Sequence, residues 1–489
     1  MKHLSPLALA LACATLAHAN DIRVENVGLA NQDVGAGTTE ITFDIGWSNS
    51  WRLSIGPVNY DAAWVFAKFR VGSGPWQHAT LLTSGSAAPA GATLDVYDDR
   101  AAMLYRDADG SGDVDWDDVV LTWDYDADGV AATDIVDVEV FAIEMVYVPE
   151  GGFSLGTVNS DRPNQNNEFY RAGFIVSSPY EVTGEEAITI GTSFGNLYYL
   201  QEVGDAGDQL GPVPAGYPKG FAAYYCMKYE VTQAQWVAFF NTLTPAQKVT
   251  RDITGPNGKN SDDEFVRNAV AWPDVGDATT TLPDVAMNYI ASEGAMAYLD
   301  WAALRPMTEL EFEKSARGPL APVAGEFAWG TAQIYGMAYD VLAEGTPDER
   351  VANPGTGVGN TRYLETNGTP SGPLRVGALA ASAVNQTREE TGGSYYGIMD
   401  VSGNVYERLI TVGNPTGRAF TGEHGDGSLA GSGDADVAGW PTADEGIGYR
   451  GGSYANPSQY LRVADRNDAA NSFSGSNGRI GLRGVRTAQ

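Results

Sequence analysis

The segment from Tyr396 to Arg408, YGIMDVSGNVYER, restricts the local fold of this chain more than any other stretch. It places two carboxylates, Asp400 and Glu407, on either side of Gly403. Glycine lacks a Cβ atom and therefore reaches the backbone angles of a tight turn. Such a turn can direct the carbonyl oxygens of Gly403 and Val405 inward, beside the two carboxylates. This all-oxygen set suits a hard cation such as calcium.

The alternative for this segment is a strand, a turn and a second strand with solvated acids, because a calcium site needs about six to eight oxygen ligands. The composition limits the wider choice of class. The chain has 489 residues, of which 43% are hydrophobic, and this length predicts two or three globular domains. The 59 glycines predict many irregular loops, and the net charge of −32 argues against a nucleic-acid partner, because phosphate would be repelled.

The N-terminus has the pattern of a secretory signal. Lys2 precedes the apolar run from Leu4 to Leu16, and the small residues Ala17 and Ala19 flank His18. We expect residues 1–19 to be a signal peptide that is cleaved near Ala19, and the protein to be secreted, periplasmic or at the cell surface. The apolar run is too short to cross a membrane, and no transmembrane segment is predicted later in the chain.

Residues 20–138 alternate short runs of β-branched and aromatic residues with turn-forming segments such as GSGP and DADG. No segment with helical periodicity lies between these runs. The spacing predicts an all-β sandwich of roughly immunoglobulin size. The predicted strands contain ITFDIGW, AAWVFAKFRV, HATLL, AAMLYRD, VVLTWDY and VDVEVFAIEM.

An acidic run within this region, DADGSGDVDWDD, is a second candidate for calcium. Its spacing matches the calcium loop of an EF-hand, with a glycine at the sixth position and Asp in place of the final Glu. The candidate ligands are Asp107, Asp109, Ser111, Asp115 and Asp118. The run that follows is typical of a strand and not of a helix. The alternative is therefore an acidic hairpin turn on the sandwich.

A second unit begins near residue 144 and continues to residue 489. Thr232 and Thr308 each stand three residues before a Gln or Glu, a capping-box pattern that predicts two helix starts. A further helix is predicted from about Ser292 to Leu304. Stretches rich in Gly, Pro, Asn and Asp predict loop inserts at about 157–220, 331–395 and 411–447.

Counts of cysteine and histidine limit the metal chemistry. Signal cleavage would leave one cysteine, Cys226, which lies in the run FAAYYCMKYEV and is predicted to be a buried strand residue. Two histidines would remain, His78 and His424, in different predicted domains. One subunit therefore has neither two cysteines nor three histidines for a single site.

Residues from about 144 to 489 resemble the sulfatase-modifying factor family, which includes the formylglycine-generating enzymes. The matching motifs occur in the order of the family: MVYVPEGGFSLG, KYEVTQAQWVAFFN, PDVAMNYIASEGAMAYLDW, RPMTELEFEKSARG, FAWG, YGIMDVSGNVYER, YRGGSY and GLRGVR. The resemblance implies a modified C-type-lectin-like fold with a small sheet, few helices and many loops. The expected fold class is thus α+β, with an N-terminal all-β sandwich followed by this loop-rich domain.

The resemblance also implies calcium as a cofactor. It assigns the side chains of Asp400 and Glu407 and the carbonyls of Gly403 and Val405 as ligands, with Asp400 in place of the more usual Asn. A second family site corresponds to Asn353 and Pro354 in VANPG.

The catalytic part of the resemblance fails. Formylglycine-generating members hold copper with two cysteines just after the GGS motif, where this chain has ANPSQYL, Ala455 to Leu461. Sulfoxide-synthase relatives hold iron with three histidines. We therefore expect no copper or iron. In the segment from Asp465 to Asp468, we expect Arg466 to be structural.

Two functions remain open. The first is a secreted, non-catalytic, calcium-stabilised binding or assembly protein, whose partner is an extracellular glycan, a surface protein or another copy of the chain. The second is an extracytoplasmic enzyme of the family with altered chemistry. A deep polar pocket near Tyr454 to Asn467 would favour the enzyme, and a flat or filled groove would favour the binding protein.

Overall fold

A computed structural model describes residues 21–158, 167–173, 178–202, 204–472 and 475–489. The predicted signal peptide lies outside the described residues. Strands outnumber helices in the described parts of the chain, which agrees with a β-rich α+β fold. The described part of the chain contains no helix with the length and hydropathy needed to cross a membrane.

The N-terminal part consists of strands joined by short turns. They are β1 (Arg23–Asp33), β2 (Thr38–Arg52), β3 (Asp61–Val71), β4 (Gln77–His78), β5 (Leu81–Ala87), β6 (Ala92–Tyr97), β7 (Ala101–Arg106), β8 (Gly110–Asp124) and β9 (Val136–Val148). All six runs that the sequence predicted as strands lie mainly within these elements.

Two sheets pack face to face in this part. One has the order β1-β2-β8-β5, and β3, β7 and β6 belong to the other. In β2, Ile41, Phe43 and Ile45 are buried and alternate with half-buried residues, as expected for a strand with one face on a core. They share a hydrophobic core with Val65 and Phe69 of β3.

The C-terminal part has short strands and short helices between long loops. Its strands are β10 (Phe153–Leu155), β11 (Tyr170–Arg171), β12 (Tyr180–Val182), β13 (Leu197–Tyr198), β14 (Tyr224–Met227), β15 (Arg305–Pro306), β16 (Val341–Leu342), β17 (Arg350–Val351), β18 (Tyr406–Ile410), β19 (Ile447–Arg450), β20 (Ile480–Leu482) and β21 (Gly484–Thr487). Its helices are α1 (Gln233–Asn241), α2 (Pro245–Arg251), α3 (Ser292–Trp301), α4 (Glu309–Arg317), α5 (Ala378–Ser382), α6 (Arg388–Thr391) and α7 (Pro415–Arg418). A 3₁₀ turn covers Ser458–Leu461.

The helix starts that the sequence predicted are confirmed. Thr232 caps α1 and Thr308 caps α4, each through a complete capping box. Helix α3 occupies most of the predicted range, and α4 ends before Gly318, whose φ is 67°.

One sheet joins the two parts of the chain. Strand β9 pairs with β3 along one edge and with β14 along the other, in the order β15-β21-β14-β9-β3-β7-β6. Strand β3 is buried on both faces: Val65 faces the N-terminal core, while Trp64 and Phe66 lie in the core of the C-terminal part. The Trp64 indole Nε1 donates to the Ala302 carbonyl, 2.8 Å away.

A three-stranded sheet, β19-β18-β20, organises the predicted calcium segment. Strand β18 begins directly after the Gly403 turn and pairs antiparallel with β19 and parallel with β20. This arrangement brings Glu407 next to Arg483, the residue between β20 and β21.

Candidate metal centre

Two buried carboxylates, a third that is half-buried and one guanidinium lie together behind the Gly403 turn. Glu230 precedes α1, Asp400 precedes the turn, Glu407 lies in β18, and Arg483 follows β20. Glu230, Glu407 and Arg483 have no more than 1% exposed surface. The fold thus places more negative than positive charge in a region shielded from water, which is costly unless a further cation or protons balance it.

Glu407 has an incompletely satisfied carboxylate. Its Oε1 accepts from Arg483 Nε at 2.8 Å and Nη2 at 2.7 Å. Its Oε2 is buried and has no hydrogen-bond partner among the described residues. A buried oxygen of this kind carries a desolvation penalty that a bound cation removes.

Asp400 is held by the backbone on one side only. Its Oδ2 accepts from the Gly377 N–H at 2.8 Å. Its own φ is 59°, in the left-handed region that Asp tolerates better than most residues. The second carboxylate oxygen remains available as a ligand.

The Gly403 turn is tightly packed. Gly403 has a φ of 96°, and a Cβ at this position would lie 2.6 Å from the Arg362 carbonyl oxygen. The Gly403 N–H donates to the Gly451 carbonyl at 2.8 Å, which ties the turn to the GGS segment. The glycine is therefore required by both its conformation and its surroundings.

The pKa values of the three carboxyl groups respond to this environment. Burial raises the pKa of Glu407, and the positive charge of Arg483 opposes this increase. Burial also raises the pKa of Asp400, against the Gly377 N–H and the charges of Arg483 and Arg375. Burial and the charge of Asp400 raise the pKa of Glu230 well above its usual value. Carboxylates that share too little positive charge resist ionisation, and a dication is the species that would balance them.

The residues therefore fit the calcium that the family resemblance implies. Asp400 and Glu407 would supply carboxylate oxygens, and Gly403 and Val405 would supply carbonyls. A calcium ion in this position would tie the turn to the neighbouring strands by ligation.

The sequence prediction did not include Glu230, Asn404 or Arg483 at this site. The Glu230 carboxylate accepts from both the Asn404 side chain and the Val405 N–H. A usable signal existed, because Glu230 stands between Tyr229 and Val231 immediately before the capping Thr232. Acidic residues are almost never fully buried unless they are paired, so an acidic residue in an apolar run is a candidate for a specific partner. Its distance of about 170 positions from the turn hid the contact.

At the second predicted calcium site, the Asn353 side chain makes hydrogen bonds to the backbone of a neighbouring loop. The Asn353 Oδ1 accepts from the Asp340 N–H at 2.8 Å, and its Nδ2 donates to the Ala338 carbonyl at 2.9 Å. Asn353 thus braces the loop before β16. Pro354 follows it and is half-buried.

The acidic run in the N-terminal part forms the turn from β7, in one sheet, to β8, in the other sheet. Asp107 and Asp109 lie in the turn between β7 and β8, while Ser111, Asp115 and Asp118 lie along β8 itself. A strand advances about 3.3 Å per residue, so these five side chains are not brought to one point. The turn connects two different sheets, so it is also not the hairpin turn left open as the alternative.

Two of these aspartates have protein partners. Asp115 pairs with Arg23 at 2.7 Å, and Asp109 accepts from the Ser54 hydroxyl at 2.5 Å.

A second acidic group has a structural explanation. Carboxylate oxygens of Asp300, Asp426 and Asp436 lie within 4.8 Å of one another. Both Asp300 oxygens accept backbone N–H groups, those of Asp426 and Asp436, at 3.1 Å. These bonds fasten the loop after α7 to the end of α3. Lys68 from β3 lies nearby and donates to the Gly427 carbonyl at 2.5 Å.

The segment after the GGS motif is covered by the insert from the region 157–220. The Arg466 guanidinium lies between two aromatic rings, 3.9 Å from the Phe169 centroid and 4.1 Å from that of Tyr199. Its Nε donates to Glu309 at 2.8 Å. The Asp205 N–H donates to the Asn467 carbonyl at 2.6 Å. Arg466 is fully buried and structural, as the sequence predicted.

An open cleft of about 400 Å³ lies at the edge of this cover. Its charged lining residues are Asp205, Asp208 and Glu445. Arg418 pairs with Asp208 through two bonds of 2.8 Å, so this carboxylate is already engaged. Arg466 is not among the described residues that line the cleft.

Cys226 lies in β14 and is fully buried. Burial raises the pKa of its thiol to about 12, so it is a thiol and not a reactive thiolate at neutral pH. His78 and His424 lie where the N-terminal and C-terminal parts meet. His78 hydrogen-bonds the Arg100 carbonyl at 2.6 Å, and His424 Nε2 accepts from the Thr487 N–H at 3.1 Å.

Comparison with known proteins agrees with the sequence resemblance. The profile of the FGE-sulfatase family, described as "Sulfatase-modifying factor enzyme 1-like domain", matches residues 194–488. No curated protein matches. Among solved structures, Treponema denticola variable protein 1 is similar at 14% identity and a TM-score of 0.31, over 71% of this chain and 96% of that chain. A TM-score of this size does not define a shared fold. The family match covers more than half of the sequence, and the chain belongs to the sulfatase-modifying factor family.

Proposed function

We propose that this chain is a secreted, non-catalytic binding or assembly protein whose family domain is stabilised by calcium. Its partner is an extracellular glycan, a surface protein or another copy of the chain. The packed sheets at the N-terminus support the description of that part as an immunoglobulin-like sandwich, which adds surface for such contacts.

The non-catalytic part of the proposal rests on the groove near Tyr454 to Asn467, on its cysteine content and on how it is covered. The segment Ala455 to Leu461 has no cysteine, and Cys226 lies in a different strand with its thiol protonated. The insert covers Arg466 with Phe169 and Tyr199, and an open cleft of about 400 Å³ lies beside it among the described residues. A filled groove suits a protein that binds through its outer surface.

The calcium part of the proposal is supported by the unpaired Glu407 Oε2 and by the excess of buried carboxylates around Arg483. Calcium would supply positive charge, and these oxygens would bind it as ligands. The overall charge of −32 also favours cation binding, because clustered carboxylates repel one another in the compact state.

The test begins with elemental analysis of the purified mature protein for calcium, copper and iron. We expect calcium at one or more ions per chain and neither redox metal. Thermal melting in excess calcium and in chelator gives the energetic consequence. With free calcium about 100-fold above its dissociation constant, ligand linkage stabilises the fold by about 2.7 kcal/mol.

A parallel assay offers a cysteine-containing peptide to the protein with copper and follows formylglycine formation by mass spectrometry. We expect no product. Stoichiometric copper or iron, or formylglycine in the peptide, would overturn the non-catalytic function. An unchanged melting temperature in chelator, with no calcium in the preparation, would overturn the calcium role.

A further inference from the structure

Glu230 is the most constrained carboxylate near the Gly403 turn. Its side chain is fully buried. Its Oε2 accepts from the Asn404 Nδ2 at 2.6 Å, and its Oε1 accepts from the Val405 N–H at 3.0 Å. Both oxygens are thus directed at the two residues that follow Gly403.

The backbone on each side of this contact is also fixed. The Val231 N–H donates to the Leu482 carbonyl at 3.0 Å, and the Val231 carbonyl accepts from the Met287 N–H at 2.7 Å. Asn404 has a φ of 59°, and its Oδ1 accepts from the Leu374 N–H at 2.8 Å. Glu230 therefore connects the hydrogen-bonded segment before α1 to the turn.

Charge gives Glu230 a second role. Glu230, Asp400 and Glu407 carry three negative charges when they are ionised, and two guanidinium groups, Arg483 and Arg375, act on this group. Negative charge remains in excess, which a bound dication would offset. Replacement of Glu230 by a neutral residue removes one of the three negative charges, so the group would attract a dication less strongly. Hydrogen bonds to metal-ligating groups commonly set metal affinity in this way.

We propose that Glu230 is the positioning residue of the calcium site. It holds the Gly403–Val405 turn in the shape that the ion requires and supplies the third negative charge. This inference rests on the calcium role proposed above. Both of its oxygens face Asn404 and Val405, so Glu230 acts through the turn.

The experiment measures calcium affinity by titration calorimetry on the full mature chain, for the wild type and for Glu230→Gln. Glutamine preserves the size of the side chain but removes the charge and places an amide against Asn404. We expect affinity to fall about 10- to 100-fold, as for other groups that support a ligand shell. The matched control is Glu365→Gln, which removes one charge from an exposed position, and we expect no change in affinity.

Melting in chelator separates this role from a purely structural one. We expect the calcium-dependent rise in melting temperature to shrink in Glu230→Gln, at equal calcium concentration. An equal drop of the melting temperature with and without calcium, at unchanged affinity, would mean that Glu230 only supports the fold and would overturn the inference. Failure of the wild type itself to bind calcium would overturn the proposed calcium role as well.

A second variant covers the case in which Glu230→Gln does not fold. Asn404→Gly keeps the backbone bonds of the turn and accepts the positive φ, but it removes the side-chain contact to Glu230 Oε2. We expect a smaller loss of calcium affinity than in Glu230→Gln, because the negative charge remains. Wild-type affinity in Asn404→Gly would contradict positioning through this contact.

Discussion

Replacement of Gly403 by alanine tests the link between the turn and the stability of the fold. Gly403 has a φ of 96°, which costs a residue with a Cβ about 1–2 kcal/mol. The new Cβ would also lie 2.6 Å from the Arg362 carbonyl oxygen and well inside contact distance of the Thr361 hydroxyl. Overpacking of this kind forces neighbouring atoms to shift and typically costs about 1–3 kcal/mol. We therefore expect Gly403→Ala to destabilise the fold by about 2–5 kcal/mol.

Two control variants separate these contributions. Gly357 has a φ of 66° and nothing within 4 Å of its added Cβ, so Gly357→Ala measures conformational strain alone. Gly431 has open space and no positive φ, so Gly431→Ala should have almost no effect. Thermal and urea denaturation should rank the losses in stability as Gly403 above Gly357 above Gly431. A loss for Gly403→Ala no larger than that for Gly431→Ala would refute the reasoning.

Two further predictions concern titratable groups where the N-terminal and C-terminal parts meet. Burial lowers the pKa of His424 to about 2, below the unfolded value of about 6.5. The unfolded chain then binds more protons, so stability is lost as pH falls below about 6.5. His424→Gln should flatten this decline in melting temperature between pH 6.5 and 5, and the free energy of unfolding lost over this range should be smaller than in the wild type by at most about 2 kcal/mol. Parallel pH curves for variant and wild type would contradict the lowered pKa of His424. The Lys228 ammonium lies 2.9 Å from the buried Glu144 carboxylate and 3.7 Å from that of Asp61. Lys228→Met removes this positive charge from both carboxylates. We expect thermal melting to show a loss of about 3–5 kcal/mol in the free energy of unfolding. The exposed control Arg350→Met should change little. Equal melting temperatures for the two variants would exclude the charge role of Lys228.

Local signals predicted much of the secondary structure. The capping boxes at Thr232 and Thr308 place two hydrogen bonds within one helical turn, so the helix starts follow from neighbouring residues alone. Strands such as β2 and β3 follow from runs of β-branched and aromatic residues. Ordered motifs likewise identified the family, because several short patterns in a fixed order rarely coincide by chance.

The candidate site was predicted only in part. The ligands within Asp400 to Glu407 are neighbours in sequence, and the glycine at the turn indicated how they could converge. The acidic run at Asp107 to Asp118 has the spacing of a calcium loop, yet pairing of β8 with β2 keeps that backbone extended. Spacing alone did not distinguish the two cases, because the choice between loop and strand depends on a partner strand elsewhere in the chain.

The sequence by itself determined the helix starts, the family, the small number of cysteines and the acidic segment that offers oxygen ligands. The tertiary structure alone decided that Glu230 and Arg483 join that segment, that one sheet runs from the N-terminal part into the C-terminal part, and that the insert covers Arg466. The reason is physical. Caps and turns act over a few residues, whereas burial of a charge depends on groups that lie hundreds of positions apart and meet only when the chain has folded.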